Sequence, residues 1–273
     1  MSLHVHETGS PSAPPIVFLH GLGISSWMWV DQITALQQDY HCLAIDLPGN
    51  GDSYQTEWRS FTDTAKQVAA VIREKAATGK AHVVGLSLGG YAALHVLRDH
   101  ADVVDSVVIS GVTPRPFANQ TAWRLLMKTI MPTVIMSRLG SSLMAKMMQL
   151  PEDATAMYKN DTKRMKRQTI ERIYEEIITF NLPLEFRQRH HRLLAVAAEH
   201  DVAMIKNGLG DFLTLLPNAQ AVIAPKAHHG WNGEFPQLFT DMIRAWIEHQ
   251  PLPEILIPVS AESKTTAISP HAA

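Results

Sequence analysis

Apolar and polar positions along the chain follow two alternating patterns. Short apolar runs rich in β-branched residues predict buried strands, and longer stretches with apolar side chains at every third or fourth position predict helices. The strand candidates are residues 3–7, 16–20, 41–46, 82–85, 107–110, 193–197 and 221–223. The helix candidates include residues 27–37, 62–77, 87–100 and 236–249.

Strands that alternate with helices are typical of an α/β fold, in which helices cover both faces of a mostly parallel sheet. We expect the first two strands to pair antiparallel at one side of that sheet. Between residues 114 and 191 the alternation stops, and a largely helical stretch rich in methionine predicts an inserted helical cap. The predicted core is therefore residues 1–113 and 192–250. Residues 251–273 contain four prolines and predict a loosely held tail.

Within the cap, the stretch from Leu125 to Met136 is apolar but is interrupted by Lys128 and Pro132. A mobile lid or a helix that seeks an interface would fit this pattern. We expect a plain buried helix of the cap instead. Most of the methionines of the cap are expected to serve packing, since flexible thioethers fill irregular gaps.

Composition excludes several classes of protein. The 273 residues are 46% apolar and 18% charged with a formal net charge of −2, as in an ordinary globular protein, so nucleic acid is a poor partner. A single cysteine, Cys42, lies in an apolar run, where we expect a buried strand residue in a reducing, cytoplasmic environment. The first residues do not follow the pattern of a secretory signal, and we expect no stable membrane insertion because no stretch approaches the ~18 apolar residues of a span.

A candidate nucleophile lies between a predicted strand and a predicted helix. Gly85-Leu86-Ser87-Leu88-Gly89 has the GxSxG pattern, in which a sharp turn presents the serine hydroxyl clear of the backbone. The pattern also arises by chance, and Ser87 could be an ordinary turn serine. Its position between strand and helix favours acyl-transfer chemistry, with Ser87 as the nucleophile.

A nucleophilic serine requires a histidine base and a carboxylate, in the chain order serine, acid, histidine. The strand at residues 193–197 is followed by Glu199 and Asp201, at the sheet edge where ligands of open α/β folds bind. We expect Asp201 to be the catalytic acid, with Glu199 as the alternative. An aspartate in this place could also simply cap a turn or helix.

Two adjacent histidines, His228 and His229, follow the last predicted strand of the core. A loop histidine there can reach Ser87, but composition alone does not decide between neighbours whose side chains point in different directions. The remaining histidines are scattered, and no HExxH or paired Cys/His spacing occurs, so we expect no metal site.

The oxyanion of a tetrahedral intermediate needs preorganised N–H donors. One candidate is the amide of Leu88, directly after the nucleophile. The second is the amide of Leu22, in the turn His20-Gly21-Leu22-Gly23 that follows an early strand. A plain strand exit would explain the same glycines.

Together these segments resemble the α/β-hydrolase fold enzymes of the esterase and cofactor-free haloperoxidase type. The resemblance covers about residues 3 to 249 and includes the segment from Asp46 to Ser53, which looks like the DxxGxGxS turn of that family. Asp201 matches the aspartate of a G-x-x-D step in which Ala198 replaces the glycine. The resemblance selects His229 over His228, because His229 precedes Trp231-Asn232 and Pro236 at the spacing of the family.

The resemblance implies a Ser87, His229, Asp201 triad without metal, flavin or nicotinamide, and no GxGxxG or Walker loop occurs in the chain. It predicts a hydrolase of carboxylic esters of small to medium lipophilic substrates, acting through an acyl-enzyme. A carbon–carbon bond hydrolase of β-diketone-like compounds is the nearest enzymatic alternative. A ligand-binding or signalling protein that keeps the triad is an alternative from another class.

Overall fold

The computed structural model describes residues 2–148, 150 and 152–260. Its centre is an eight-stranded sheet in the order β1-β3-β2-β4-β5-β6-β7-β8. The strands are β1 (Val5–Thr8), β2 (Pro15–Leu19), β3 (His41–Ile45), β4 (Ala81–Leu86), β5 (Val104–Ser110), β6 (Arg192–Ala198), β7 (Ala219–Ala224) and β8 (Ile257–Pro258). Strands β2 to β7 pair in parallel, which confirms the predicted mostly parallel sheet.

The helices lie on both faces of this sheet and in the segment between β5 and β6. They are α1 (Val30–Leu36), α2 (Phe61–Lys75), α3 (Leu88–Asp99), α4 (Gln120–Leu125), α5 (Met131–Met136), α6 (Arg138–Met147), α7 (Glu152–Arg164), α8 (Arg167–Thr179), α9 (Ala203–Leu215), α10 (Trp231–Glu234) and α11 (Pro236–Ile247). Residues Leu126–Ile130 form a π-helix between α4 and α5, and short 3₁₀ turns complete the connections.

Side chains along each strand point alternately to the two faces of the sheet, and this divides the core into two layers. In β2, Val17 and Leu19 pack with α2 and α3, whereas Ile16 and Phe18 pack on the opposite face with α1 and α11. Successive strand side chains point to opposite faces of a sheet, so a strand covered on both sides reads as an unbroken apolar run. This explains why the central strands could be recognised in the sequence.

The pairing of the first strands, one helix and the C-terminal segment differ from the sequence-based expectation. The first two strands do not pair with each other: β1 pairs antiparallel with β3, and β2 lies on the other side of β3. Helix α9 was not predicted, although Ile205, Leu209 and Phe212 have helical spacing. Strand β8, in the expected tail, pairs antiparallel with β7, while residues 261–273 lie outside the described part of the chain.

Cys42 lies in β3 and is fully buried, as expected. Burial raises the pKa of its thiol to about 12, so the thiol stays protonated and unreactive. Among the described residues, none of the helices combines the length and apolar character that a membrane crossing requires.

The segment assigned to the cap, residues 114–191, contains helices α4 to α8. Helices α7 and α8 are tied to loops of the core by ion pairs, which join Arg164 to Asp52 and Arg172 to Glu57. Helices α4 to α6 pack against α7 and α8. Helices α5 and α6 also reach the loop after β2, through Ile135 beside Leu22 and Met144 beside Ile24.

The expectation of a buried helix between Leu125 and Met136 is wrong for its first half, although Pro132 and Ile135 in its second half are buried. Leu125 is 64% exposed and Ile130 is 50% exposed. Pro132 has no N–H, which leaves the carbonyl of Lys128 without its usual helical donor. The guanidinium of Arg167 takes that place, with Nη2 3.4 Å from the oxygen of Lys128 and 3.0 Å from that of Thr129. Hydrogen bonds from Arg167 of α8 therefore stabilise the distorted turn, and burial of its exposed side chains Leu125 and Ile130 does not.

Candidate active site

Ser87 lies at the sharp turn between β4 and α3. Its backbone angles are φ 55° and ψ −115°, a conformation that a residue with a Cβ rarely adopts. The turn is held by two backbone hydrogen bonds, from the amide of Ser87 to the oxygen of Ser110 at 2.8 Å and from the amide of Gly90 to the oxygen of Ser87 at 2.9 Å. Strained residues of this kind persist where the surrounding structure fixes them, and they cluster at functional sites.

The glycines of the GxSxG pattern are required by close backbone contacts. A Cβ on Gly85 would lie 2.3 Å from the oxygen of Gly89, and a Cβ on Gly89 would lie 1.9 Å from the oxygen of Leu19. A side chain on Gly89 would push the turn away from β2, and a side chain on Gly85 would push the first turn of α3 away from β4. The two glycines of the GxSxG pattern are thus a steric requirement for the sharp turn that presents Ser87.

The turn after β2 lies beside the serine. A Cβ on Gly21 would be 3.9 Å from the Cβ of Ser87, which brings the predicted oxyanion donor Leu22 into the same region. The second predicted donor, Leu88, is the first residue of α3. An amide in the first turn of a helix has no acceptor within that helix, so it is free to bind an anion.

His20 fixes the orientation of the peptide between Gly21 and Leu22. The amide of Leu47 donates to Nε2 of His20 at 2.9 Å, so the proton resides on Nδ1, which donates to the oxygen of Gly21 at 2.7 Å. Burial lowers the pKa of His20, which keeps the ring neutral. Because the C=O and N–H of a trans peptide point in opposite directions, this bond also fixes the N–H of Leu22. His20 therefore has a structural role in the turn that carries Leu22.

His229 and Asp201 are brought together from the loops after β7 and β6. Nδ1 of His229 lies 2.7 Å from Oδ1 of Asp201, and Oδ2 of Asp201 accepts the amide of Ala198 at 2.9 Å. The carboxylate is an acceptor, so Nδ1 carries the proton and Nε2 is left as the basic nitrogen. The side chain of Asp201 is 2% exposed, whereas that of His229 is 46% exposed. A buried acid thus orients an accessible base.

The ring of His229 packs against Gly111, directly after β5. A Cβ on Gly111 would lie 2.5 Å from Cε1 of His229. The preceding residue, Ser110, accepts the amide of Ser87, so the histidine and the serine turn contact neighbouring residues of the same strand end. Sequence analysis missed Gly111. Its signal was a glycine directly after a buried strand, where a positive φ, here 71°, favours glycine.

The two alternatives left open by the sequence are engaged elsewhere. The amide and Nδ1 of His228 lie 2.8 and 3.1 Å from the carboxylate of Glu234, and its ring packs on His200. Oε2 of Glu199 accepts the amide of Lys226 at 2.6 Å. Neither side chain takes part in the contact between His229 and Asp201.

Trp231 and Asn232 anchor the histidine loop. Nε1 of Trp231 donates to the hydroxyl of Ser110 at 2.9 Å, and Nδ2 of Asn232 donates to the oxygen of Met28 at 2.8 Å. Both residues are buried. The Trp-Asn pair therefore ties the loop that carries His229 both to the strand end beside Ser87 and to the segment after the Leu22 turn.

Asp46 holds together the turn from Asp46 to Ser53. Its Oδ1 accepts the amide of Ser26 at 2.7 Å and its Oδ2 accepts the amide of Asp52 at 2.8 Å. His4, Asp46 and Asp52 have possible ligand atoms within 4.8 Å of one another. Backbone amides already occupy both oxygens of Asp46, and Asp52 is paired with Arg164, so the cluster is explained as a structural one.

An apolar wall adjoins the predicted oxyanion turn. Leu22 packs against buried side chains of the cap, namely Ile135, Met165 and Ile170, with Met131 and Tyr174 partly buried beside them. Two of the methionines of the cap thus lie near the site. Met144 and Met148 pack in a separate cluster with Ile24 and Tyr158, and Met136 and Met157 are exposed.

The comparisons with known proteins identify the family of the chain. Residues 16–242 match the family described as "Alpha/beta hydrolase family", and the chain belongs to that family. An AB hydrolase superfamily protein of Gibberella zeae is 27% identical over 91% of this chain and 85% of its own length. The pimeloyl-[acyl-carrier protein] methyl ester esterase of Vibrio vulnificus is 28% identical over 63% of this chain and 66% of its own length.

Solved structures share the fold. A thermophilic esterase from Thermogutta terrifontis aligns with a TM-score of 0.72 at 18% identity, covering 90% of this chain and 93% of that one. The enol-lactonase from Burkholderia xenovorans aligns with a TM-score of 0.73 at 20% identity, covering 90% and 96%. At this identity the likeness concerns the fold alone.

Proposed function

We propose that the protein is a serine hydrolase of carboxylic esters that acts through Ser87, His229 and Asp201. The observation that carries the proposal is the pairing of His229 with the buried Asp201, in a ring position set by Gly111 beside the strained Ser87 turn. Membership of the α/β-hydrolase family and the named esterases among its relatives support a hydrolase of the carboxylic-ester type.

In the proposed reaction, Oγ of Ser87 attacks the ester carbonyl while its proton passes to Nε2 of His229. Asp201 remains ionised and stabilises the imidazolium through Nδ1–H. The amides of Leu22 and Leu88 bind the oxyanion of the tetrahedral intermediate. Its collapse expels the alcohol, which takes the proton from His229 and leaves an acyl-enzyme. Water attacks the acyl group, with His229 as the base, and the acid is released.

The wall around Leu22 favours small to medium lipophilic substrates. Met131, Met165 and Ile135 supply flexible and branched apolar surface next to the proposed oxyanion donor. An apolar pocket discriminates between acyl chains by ~1–3 kcal/mol for each methylene. We therefore expect a graded preference among acyl chains, with an optimum of chain length.

The test is the hydrolysis of p-nitrophenyl esters from acetate to long-chain acyl groups by the wild type, Ser87→Ala and the control Ser12→Ala. Ser12 is exposed and lies on a loop before β2. We expect turnover by the wild type and the control and its loss in Ser87→Ala. Equal turnover in Ser87→Ala, or none in the wild type with any ester, would overturn the proposal.

A further inference from the structure

Helix α7 of the cap lies directly on the loop that carries the proposed oxyanion donor, residues 20–27, called here the oxyanion loop. A Cβ on Gly23 would lie 3.3 Å from Cγ2 of Thr162 and 3.5 Å from Cε2 of Tyr158. Tyr158 and Thr162 are one helical turn apart, so one face of α7 covers the loop. The cap thus contacts the loop one residue away from Leu22.

On the same face, Asp161 makes the polar contact between cap and loop. Its Oδ2 accepts the hydroxyl of Ser25 and Nε1 of Trp27, both at 2.8 Å. Asp161 is only 5% exposed. Burial raises the pKa of its carboxyl, while the bonds from Trp27 and Ser25 oppose that rise. An acid in this place lowers the stability of the fold unless its contacts offset desolvation, so its presence calls for a reason beyond packing.

The core holds the other residues of the same loop. The amide of Ser26 donates to Asp46 at 2.7 Å, and the amide of Gly23 donates to Oδ1 of Asn50 at 3.3 Å. The cap binds Ser25 and Trp27, whereas the core binds Gly23 and Ser26. The position of the oxyanion loop therefore depends on hydrogen bonds with both the cap and the core.

We propose that Asp161 is a positioning residue that sets the oxyanion donor of Leu22 through Ser25 and Trp27, so that the site is complete only when the cap is seated. The inference rests on the proposed function. Asp161 acts through the loop and does not touch the reacting atoms. Because oxyanion donors act on the transition state more than on the bound substrate, loosening the loop lowers kcat more than it raises KM.

The test compares Asp161→Leu, which removes the acceptor, with Asp161→Asn, which retains one. With the preferred p-nitrophenyl ester, kcat is expected to fall at least ~10-fold in Asp161→Leu, since loss of a whole oxyanion donor costs ~10²–10³. KM is expected to change less than kcat. Asp161→Asn is expected to recover most of the lost rate, because its amide oxygen accepts both donors.

Arg164→Gln is the matched control on the same helix. Arg164 pairs with Asp52 at 2.9 Å and lies over the ring of Tyr54, so this variant removes a partly exposed contact of α7 and leaves the contacts of Asp161 with the oxyanion loop in place. We expect its kcat to stay at the wild-type level. A fall in kcat equal to that of Asp161→Leu would assign the effect to cap docking in general and overturn the specific role of Asp161.

Ser25→Ala and Trp27→Phe approach the same contact from the loop, in case Asp161→Leu does not fold. Each is expected to lower kcat by itself, and wild-type kcat in both would overturn the proposal. Where Asp161→Leu folds, neither is expected to lower kcat further when combined with it. Affinity for a trifluoromethyl ketone, which forms a tetrahedral adduct, is expected to fall in parallel with kcat, while affinity for the carboxylate product stays unchanged.

The outcomes separate the two proposals. Wild-type kcat and ketone affinity in Asp161→Leu, with turnover still dependent on Ser87, would overturn the role of Asp161 and leave the esterase proposal intact. Loss of dependence on Ser87 would overturn both.

Discussion

Gly111 and His229 are in direct contact, and the imidazole occupies the space that a side chain at position 111 would take. A Cβ on Gly111 would lie 2.5 Å from Cε1 and 3.0 Å from Nδ1 of His229. Because Gly111 has no side chain, the ring of His229, the proposed base, can lie against the end of β5. Activity is therefore expected to depend on Gly111, although less strongly than on the residues of the triad.

Gly111→Ala is expected to lower kcat/KM ~10²-fold, because a shift of about 1 Å in a reacting group has an effect of that size. The control is Gly79→Ala. Gly79 has φ 70°, close to the 71° of Gly111, but a Cβ there meets nothing within 4 Å. Both variants carry the same backbone strain, and only one displaces His229. Equal activities after correction for the folded fraction would contradict the steric role.

Asp201→Asn is expected to lower kcat ~10⁴-fold by favouring the histidine tautomer with the proton on Nε2. The neighbouring acid supplies the control, because the carboxylate of Glu199 accepts the loop amide of Lys226 and does not contact His229 in any hydrogen bond of the described residues. Glu199→Gln is expected to keep activity within a few-fold of the wild type. The measurement is kcat by steady-state kinetics, on variants whose thermal unfolding curves match that of the wild type. A larger fall in kcat for Glu199→Gln than for Asp201→Asn would make Glu199 the catalytic acid.

His229→Ala is expected to remove nearly all turnover, whereas His228→Ala is expected to retain most of it. The difference follows from their partners, since His229 contacts the buried Asp201 and His228 contacts Glu234 near the surface. Addition of imidazole is expected to restore part of the activity of His229→Ala by filling the vacated position. If His228→Ala were the more damaging substitution, His228 would be the base.

His95 makes the stability of the fold depend on pH. It is buried against Phe61, with ring centroids 4.8 Å apart, and Nδ1 lies 2.8 Å from the oxygen of Tyr91. Burial lowers the pKa of His95 from 6.5 to about 4. Between these values the unfolded chain binds more protons, so stability is fully present above pH 6.5 and falls towards pH 4.

The loss attributable to His95 amounts to ~3 kcal/mol over that interval, at ~1.4 kcal/mol for each unit of pKa. Urea unfolding of the wild type and His95→Gln between pH 4.5 and 7 measures it. The pH slope of the free energy of unfolding is expected to be smaller in His95→Gln, while the exposed His6→Gln keeps the wild-type slope. Parallel slopes in all three proteins would show that His95 does not titrate as described.

The sheet could be predicted from the sequence because its strands are buried on both faces. Ile16, Val17, Phe18 and Leu19 are all fully buried, so the apolar run is continuous and unambiguous. The pairing of β1 could not be read in the same way. Strand β1 is partly exposed and lies at an edge of the sheet. Its pairing with β3 depends on the order of all the strands, which a local sequence pattern does not give.

Ser87 could be recognised locally, since the turn and its glycines are adjacent in the chain. Asp161 could not, because the donors it binds lie 136 and 134 positions away and only the docking of α7 brings them together. The choice between His228 and His229 needed a resemblance to a known family, because two neighbouring loop residues differ only in the directions of their side chains. The exposed Leu125 and Ile130 were misassigned because an apolar stretch does not by itself reveal which surface covers it.

The most direct test of the account is labelling with a fluorophosphonate, followed by peptide mapping of the adduct. The reagent reacts only with a serine that a neighbouring base activates. We predict a single adduct on Ser87 in the wild type, no adduct in Ser87→Ala and strongly slowed labelling in His229→Ala. An adduct on another residue, or an unlabelled wild type, would contradict the central claim that Ser87 is the activated nucleophile.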